Sequence, residues 1–214
     1  MDLTSKAKLN NNAEMPWLGL GVWNISSGKQ TEDAVLWALE AGYRHIDTAA
    51  IYGNEKSVGV ALKKTDVPRE QIFVVTKLWN DNHDDPEAAL NDSLNRLQLD
   101  YIDLYLMHFP TPQRHASWKV MERLNKQGKC KAIGVSNFTI RHLKELKGLV
   151  PAVNQVEFNP FLYQKELLEF CQKNSIQLEA YSPLTHNHKL GEPKLVKIAE
   201  KYDKSPAQIL IRWA

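Results

Sequence analysis

The chain has 214 residues and a formal net charge of +2, and 43% of its residues are apolar against 24% charged. This composition is typical of a soluble globular protein, and we expect one domain over residues 1–214. The near-neutral charge gives no electrostatic reason to bind nucleic acid or an acidic membrane surface, and no apolar run approaches the roughly 20 residues of a membrane span.

The chain alternates strand and helix patterns along its length. Asparagines at 10–12 lie between short apolar runs, which predicts an N-terminal β-hairpin. From residue 18 onward, short β-branched runs alternate with amphipathic patterns, which predicts right-handed crossovers and a parallel sheet. The predicted strands are 18–23, 43–46, 72–77, 102–108, 131–135, 152–156 and 176–181, and the predicted helices are 31–41, 55–64, 86–97, 118–128 and one that begins at 205–206.

Glycines in the first predicted strand raise the question of a dinucleotide-binding motif. Gly19 and Gly21 lack the spacing of the Rossmann pattern, and we therefore reject a Rossmann domain. In a narrow barrel these glycines would instead allow the backbone to approach its neighbours and a bound cofactor closely.

Ionisable residues follow three successive predicted strands. Asp47, Lys77 and His108 stand at the strand ends, and Tyr52 follows just after the first. In a parallel barrel these ends face one mouth, where active sites are built. We expect Lys77 to lower the pKa of Tyr52 from about 10, Asp47 to hold Lys77 charged, and neutral His108 to donate to a carbonyl. Taken alone, Asp47 is more simply interpreted as a helix cap, and Tyr52 as loop packing.

Two long motifs carry a resemblance to a known family. Residues 42–59 read GYRHIDTAAIYGNEKSVG, and residues 132–138 read AIGVSNF. Over essentially its whole length the sequence resembles the aldo-keto reductases. The resemblance implies an α/β fold, the (β/α)8 TIM barrel with an N-terminal hairpin, that reduces aldehydes and ketones with NADPH and without a metal. It implies Tyr52 as the general acid, tuned by Lys77 and Asp47, and His108 as the group that orients the carbonyl.

The resemblance also implies contacts to cofactor and substrate. Ser136, Asn137 and Gln155 would hold the nicotinamide carboxamide, and the alternative for Asn137 is that it caps a helix that begins near Thr139. Tyr181 would stack on the ring. The implied cofactor contacts are Gly21, Val22, Trp23, Asp47, Ser136, Asn137, Gln155, Tyr181, Ser182, Pro183 and Leu184. The implied substrate contacts are Trp23, Trp79, His108 and Phe109, with a weaker case for Asn80.

The eighth strand and helix of such a barrel are not present among these 214 residues. We expect an open edge between the first and seventh strands, which is an aggregation risk. The resemblance places the residues for the adenosine 2′-phosphate in that eighth unit, and so NADP preference over NAD has no visible residues here. Either the native chain is longer, which we favour, or the product is truncated.

Other features give alternatives. His186 and His188 lack further ligands at metal-site spacing, and we expect no metal. His45 is interpreted as a packing residue. The polar residues 1–6 and only two cysteines, Cys130 and Cys171, favour a cytoplasmic protein with free thiols. We expect a monomer acting on a small carbonyl compound; the rival function is a non-catalytic NADPH-sensing or partner-binding regulatory subunit, as in potassium-channel β subunits.

Overall fold

The computed structural model describes residue 3 and residues 5–214. Its strands are β1 (Lys6–Lys8), β2 (Glu14–Pro16), β3 (Leu20–Gly21), β4 (His45–Asp47), β5 (Phe73–Leu78), β6 (Ile102–Met107), β7 (Cys130–Ser136), β8 (Val153–Glu157) and β9 (Gln177–Tyr181). Its α-helices are α1 (Lys29–Glu40), α2 (Glu55–Lys64), α3 (Pro86–Leu97), α4 (Arg114–Lys126), α5 (Ile140–Glu145), α6 (Lys165–Lys173), α7 (Pro193–Lys201) and α8 (Pro206–Trp213).

Seven strands, β3 to β9, form one parallel sheet in chain order. Each strand pairs with the next through a helical crossover, and the sheet curls into a nearly closed (β/α)8-type barrel. Within the described residues β3 and β9 have one strand neighbour each, so the predicted open edge lies between them. The predicted fold class is confirmed.

The predicted N-terminal hairpin is also confirmed. β1 and β2 pair antiparallel, with Ala7 opposite Met15. The Asn11 carboxamide accepts from the backbone N–H of Ala13 at 3.1 Å and donates to the Lys131 carbonyl at 3.0 Å. Leu9 and Met15 pack onto the apolar side chains inside the barrel, so the hairpin plugs the N-terminal end of the sheet.

Alternation along each strand separates two apolar cores. On β5, Phe73 and Val75 face the barrel interior, whereas Val74 and Leu78 face the surrounding helices. This is the period of two that every β-strand imposes on its side chains. The interior cluster comprises Leu9, Met15, Phe73, Val75, Leu104, Leu106, Ala132, Ala152 and Val153.

Most predicted elements shift by one or two residues at an end, and two differ by more. The first barrel strand is confined to Leu20–Gly21 rather than 18–23, because it pairs only with β4. The fourth helix begins at Arg114 rather than 118, because the chain leaves the prolines at 110 and 112 and Gln113 already serves as the N-cap. The helices α6 and α7 were not predicted. No helix among the residues that the structure describes is long and apolar enough to cross a membrane.

Candidate active site

Strand alternation directs the predicted catalytic side chains into one end of the barrel. Lys77 follows Phe73 and Val75 in the inward series of β5, and His108 follows Leu104 and Leu106 at the end of β6. Parallel register sets Asp47 on β4 beside Val75 on β5. These ionisable groups therefore lie in the layer just above the apolar interior, at the carboxyl ends of the strands.

Lys77 is a buried ammonium with three oxygen partners. Its Nζ donates to Asp47 Oδ1 at 2.5 Å, to the Thr48 carbonyl at 2.9 Å and to Tyr52 Oη at 3.4 Å. Burial opposes the charge of Lys77, but Asp47 and Tyr52 favour it more strongly, and the pKa of Lys77 is raised. The ammonium therefore stays charged at neutral pH beside the phenol.

A short 3₁₀ turn carries Tyr52 to that position. The turn spans Ala50–Tyr52 and ends at Gly53, whose φ of 68° lies in the left-handed region that glycine adopts without strain. Asn54 then anchors the chain: its amide donates to the Val22 carbonyl at 2.9 Å, and its carbonyl accepts from the Thr48 hydroxyl at 2.9 Å. The Tyr52 hydroxyl is thereby held against Lys77.

The expected direction of the Tyr52 pKa is wrong. Burial raises the pKa of Tyr52 by more than Lys77 lowers it, and Asp47 raises it further. The phenol therefore keeps its proton at neutral pH. Lys77 lowers this pKa as expected, whereas the charge of Asp47, expected to act by holding Lys77 charged, raises it directly.

His108 is a neutral imidazole in this site. Burial, and next the charge of Lys77, lower its pKa to about 4, with Asp47 opposing them. Within the described part of the chain its Nδ1 is buried without a hydrogen-bond partner. The ring stands edge-on to Tyr52, with ring centroids 5.9 Å apart, so the two side chains border the same space.

Two of the predicted substrate aromatics join His108. Trp79 meets the imidazole edge-on at a centroid distance of 5.3 Å, and Phe109 stacks on it at 5.2 Å. Trp23 lies apart from them and packs edge-on against His186, at 5.9 Å, in the loop after β9. The structure therefore assembles one aromatic cluster around His108 and a separate contact between Trp23 and the loop after β9.

The predicted carboxamide-binding residues lie together but are partly engaged. Both amide hydrogens of Asn137 are donated, to the His108 carbonyl at 3.0 Å and to Ser136 Oγ at 3.1 Å. Asn137 Oδ1 accepts from the Tyr181 hydroxyl at 2.9 Å, and Gln155 Nε2 donates to Asp47 Oδ2 at 2.8 Å. Thr139, not Asn137, is the N-cap of α5.

The remaining predicted cofactor contacts divide between mouth and core. Ser182, Pro183 and Leu184 are half-buried in the loop that follows Tyr181. Gly21 is exposed at the end of β3. Val22 is fully buried, and its side chain packs in the outer core with Val35, so it does not face the mouth.

Three polar residues near this site were not singled out from the sequence. Asn54 holds the turn described above. Glu55 accepts from Thr76 Oγ1 at 2.5 Å and from Arg96 Nε at 2.6 Å, which links α2 to β5 and α3. Glu179 lies inside the barrel on β9. Alternation with Tyr181 would have indicated the inward position of Glu179, because the two residues are two apart on one strand.

The fold and this cluster of groups indicate an enzyme of the (β/α)8 barrel class, and comparison with known proteins gives its family. A model of the aldo/keto reductase family matches residues 17–214. A glyoxal reductase of Bacillus subtilis is 48% identical over 217 residues, covering 99% of this chain and 79% of the relative. The methylglyoxal reductase DkgA of Escherichia coli is 49% identical over 214 residues, covering 96% of this chain and 78% of the relative.

Solved structures agree. An aldo/keto reductase from Brucella melitensis superposes with a TM-score of 0.93 at 44% identity, covering 98% of this chain and 83% of that chain. A Bombyx mori aldo-keto reductase solved with NADP gives a TM-score of 0.89 at 38% identity, covering 98% of this chain and 79% of that chain. This chain belongs to the aldo/keto reductase family, and it is an oxidoreductase of that family.

Proposed function

We propose that the protein is an NADPH-dependent carbonyl reductase that converts aldehydes and ketones to alcohols, with Tyr52 as its general acid. The position of the Lys77 ammonium carries this proposal, because one Nζ contacts Asp47 at 2.5 Å and Tyr52 at 3.4 Å. The names of the relatives, which include reductases of glyoxal and methylglyoxal, support a small reactive aldehyde as substrate.

The side chains at the ends of β7, β8 and β9 fit a nicotinamide carboxamide. The two N–H groups of a primary amide need acceptors. Asn137 has given both of its hydrogens and has one acceptor site left on Oδ1, whereas Gln155 still offers its carbonyl oxygen. The half-buried ring of Tyr181, anchored through its hydroxyl to Asn137, supplies a flat surface beside them. When bound, NADPH supplies the hydride that reduces the carbonyl carbon.

Tyr52 supplies the proton. The raised pKa of Tyr52 keeps the phenol protonated at neutral pH, so the acid carries its proton before the reaction begins. When that proton passes to the carbonyl oxygen, the resulting phenolate lies beside the Lys77 ammonium and is stabilised by it. Atoms balance: the carbonyl gains one hydride at carbon and one proton at oxygen.

His108 and the aromatic cluster orient the substrate. A neutral imidazole carries one N–H, which donates to a carbonyl oxygen without adding a positive charge. Trp79 and Phe109 border the same space with apolar surface. An apolar pocket with a few polar groups is the usual form of a small-molecule site.

Consumption of NADPH with methylglyoxal tests the proposal. We expect turnover by the purified protein, and we expect Tyr52→Phe to reduce kcat by about 10²- to 10⁴-fold, the usual contribution of a general acid. The tryptophan fluorescence of the variant should still be quenched when NADPH binds, because the aromatic ring at position 52 and its packing remain. Near-wild-type turnover by Tyr52→Phe would remove Tyr52 from this role.

The same measurement separates the rival function. A protein that binds NADPH but reduces neither methylglyoxal nor an aromatic aldehyde would favour the regulatory subunit.

We place the reaction in the cytoplasm and infer a monomer. Cys130 and Cys171 are both buried free thiols, which suits a reducing compartment. Light scattering of the purified protein measures the oligomeric state.

A further inference from the structure

The barrel interior contains a second ionisable pair, next to Asp47 and outside the mechanism above. His45 and Asp47 both face inward on β4, and Gln155 on β8 is the register partner of Glu179 on β9. His45 Nε2 lies 3.7 Å from Glu179 Oε1. The amide of Gln155 donates to Asp47 Oδ2, and hydrogen bonding from Gln155 also favours the charged form of Glu179. The pair therefore adjoins the catalytic layer directly.

The imidazole of His45 is fixed in place. Its Nδ1 lies 3.3 Å from the Pro16 carbonyl oxygen of the hairpin. Phe73 meets the ring edge-on at 5.2 Å. A Cβ added at Gly19 would come within 2.9 Å of the ring atoms, so the absence of a side chain at Gly19 provides the space that the imidazole occupies. The ring orientation is set from three sides.

The Pro16 contact determines the tautomer. A carbonyl oxygen only accepts hydrogen bonds, so Nδ1 of His45 must carry a proton. The other nitrogen, Nε2, faces Glu179, and in the described part of the chain neither Nε2 nor Glu179 Oε2 has a hydrogen-bond partner. Because Nδ1 already carries a proton, an attractive contact between Nε2 and the carboxyl group requires a second one, carried either by Nε2 or by the carboxyl.

We propose that Nε2 of His45 and the carboxyl group of Glu179 share one proton at neutral pH, in addition to the proton on Nδ1, and that Glu179 acts through this pair as a positioning residue that sets the charge beside Asp47, Lys77 and Tyr52. This inference rests on the proposed reductase function. Glu179 is a further carboxylate of the barrel interior besides Asp47, and the charge of His45 offsets its charge. The catalytic layer is thereby spared an uncompensated negative charge.

The groups that face Glu179 fix the expected sign. They are His45, Asp47, Lys77 and Tyr52. The charge of Glu179 raises the pKa of Tyr52, and the charge of His45 lowers that of Glu179. Reduction needs protonated Tyr52, so the activity is lost as pH rises through the Tyr52 pKa. This loss forms the alkaline limb of the pH profile. Removal of the Glu179 charge should move the alkaline limb to lower pH, and removal of His45 should not.

The experiment is the pH dependence of kcat/KM for methylglyoxal reduction in two variants. We expect Glu179→Gln to move the alkaline limb to lower pH by about half a unit, and His45→Gln to leave it at or above the wild-type position. Glu166→Gln removes an exposed carboxylate from α6 and should leave the profile unchanged. Movement of both interior variants in the same direction, or no movement in Glu179→Gln, would overturn the proposal.

A measurement without turnover separates this inference from the proposed function. Long-range ¹H–¹⁵N spectra report which imidazole nitrogens carry protons, and the His45 signals are assigned by their loss in His45→Gln. We expect protonated Nδ1 in the wild type and in Glu179→Gln. A bare Nδ1 in the wild type would overturn this arrangement of protons even if the protein proves to be an active reductase.

Discussion

The two ends of the barrel interior differ in chemistry although the same strands build both. At the N-terminal end the inward side chains are apolar, and the hairpin residues Leu9 and Met15 cover them. At the C-terminal end the next inward positions carry Asp47, Lys77 and Gln155, joined by hydrogen bonds. Every second residue of a strand faces the barrel interior. The difference teaches that these inward residues stabilise the fold at one end of the barrel and form the reactive groups at the other.

The largest expected effect comes from removing the ammonium at the reactive end. We expect Lys77→Met to reduce kcat by about 10³-fold. Lys77 is the cation that lowers the pKa of Tyr52, so the phenolate formed in the reaction would lose this stabilisation. Stopped-flow measurement of NADPH oxidation checks this value.

A lysine at the opposite end provides the matched control. Lys131 contacts the N-terminal hairpin through Asn11, and its Nζ pairs with Asp103 Oδ1 at 3.0 Å, so Lys131→Met should leave kcat within a factor of about two. Equal losses of kcat in both variants would mean that the Lys77 effect is one of folding.

At the apolar end a cavity should cost stability and leave the chemistry alone. Leu104 is fully buried in the interior cluster. We expect Leu104→Ala to lower the free energy of unfolding by about 3 kcal/mol, as large-to-small changes in cores do. Urea unfolding measures it, and kcat well below the unfolding midpoint should stay close to wild type.

Leu149, which is 46% exposed, is the control for that change, since Leu149→Ala should alter the free energy of unfolding by less than about 0.5 kcal/mol. If Leu104→Ala lost its activity with unchanged stability, the division of labour between the two ends would be refuted.

The smallest expected effect is a pH dependence of stability from His108. Its pKa is lowered to about 4 in the fold, so between pH 6.5 and pH 4 the unfolded chain binds the proton more readily. Stability is therefore complete above the unfolded pKa and decreases as pH falls. The shift corresponds to about 2 kcal/mol lost between pH 7.5 and pH 5.

Urea unfolding at these two pH values checks the His108 effect, with His108→Gln as the comparison. The variant should lose less stability on acidification than the wild type. A residual slope is expected, because burial also lowers the pKa of His83. An unchanged slope in His108→Gln would show that the neutral state of His108 does not contribute.

Much of the fold and part of the site could be predicted from the chain. The positions of the predicted strand ends identified Asp47, Lys77 and His108 as candidate site residues, and the structure brings their side chains to one mouth of the barrel. Sequence reasoning could not give the sign of the Tyr52 pKa shift, because that sign depends on how deeply the phenol is buried. Glu179 was missed because a single carboxylate in a strand pattern has no partner until distant strands are placed beside it.

The sequence by itself determined the order of the elements, the parallel sheet and the residues at the strand ends, because periodicity and turn chemistry are local properties. Only the tertiary structure decided which side chains meet. His45 and Glu179 are more than a hundred residues apart in the chain and 3.7 Å apart in space. Charge states in this site follow from burial and from such contacts, which the folded barrel creates and the linear sequence does not contain.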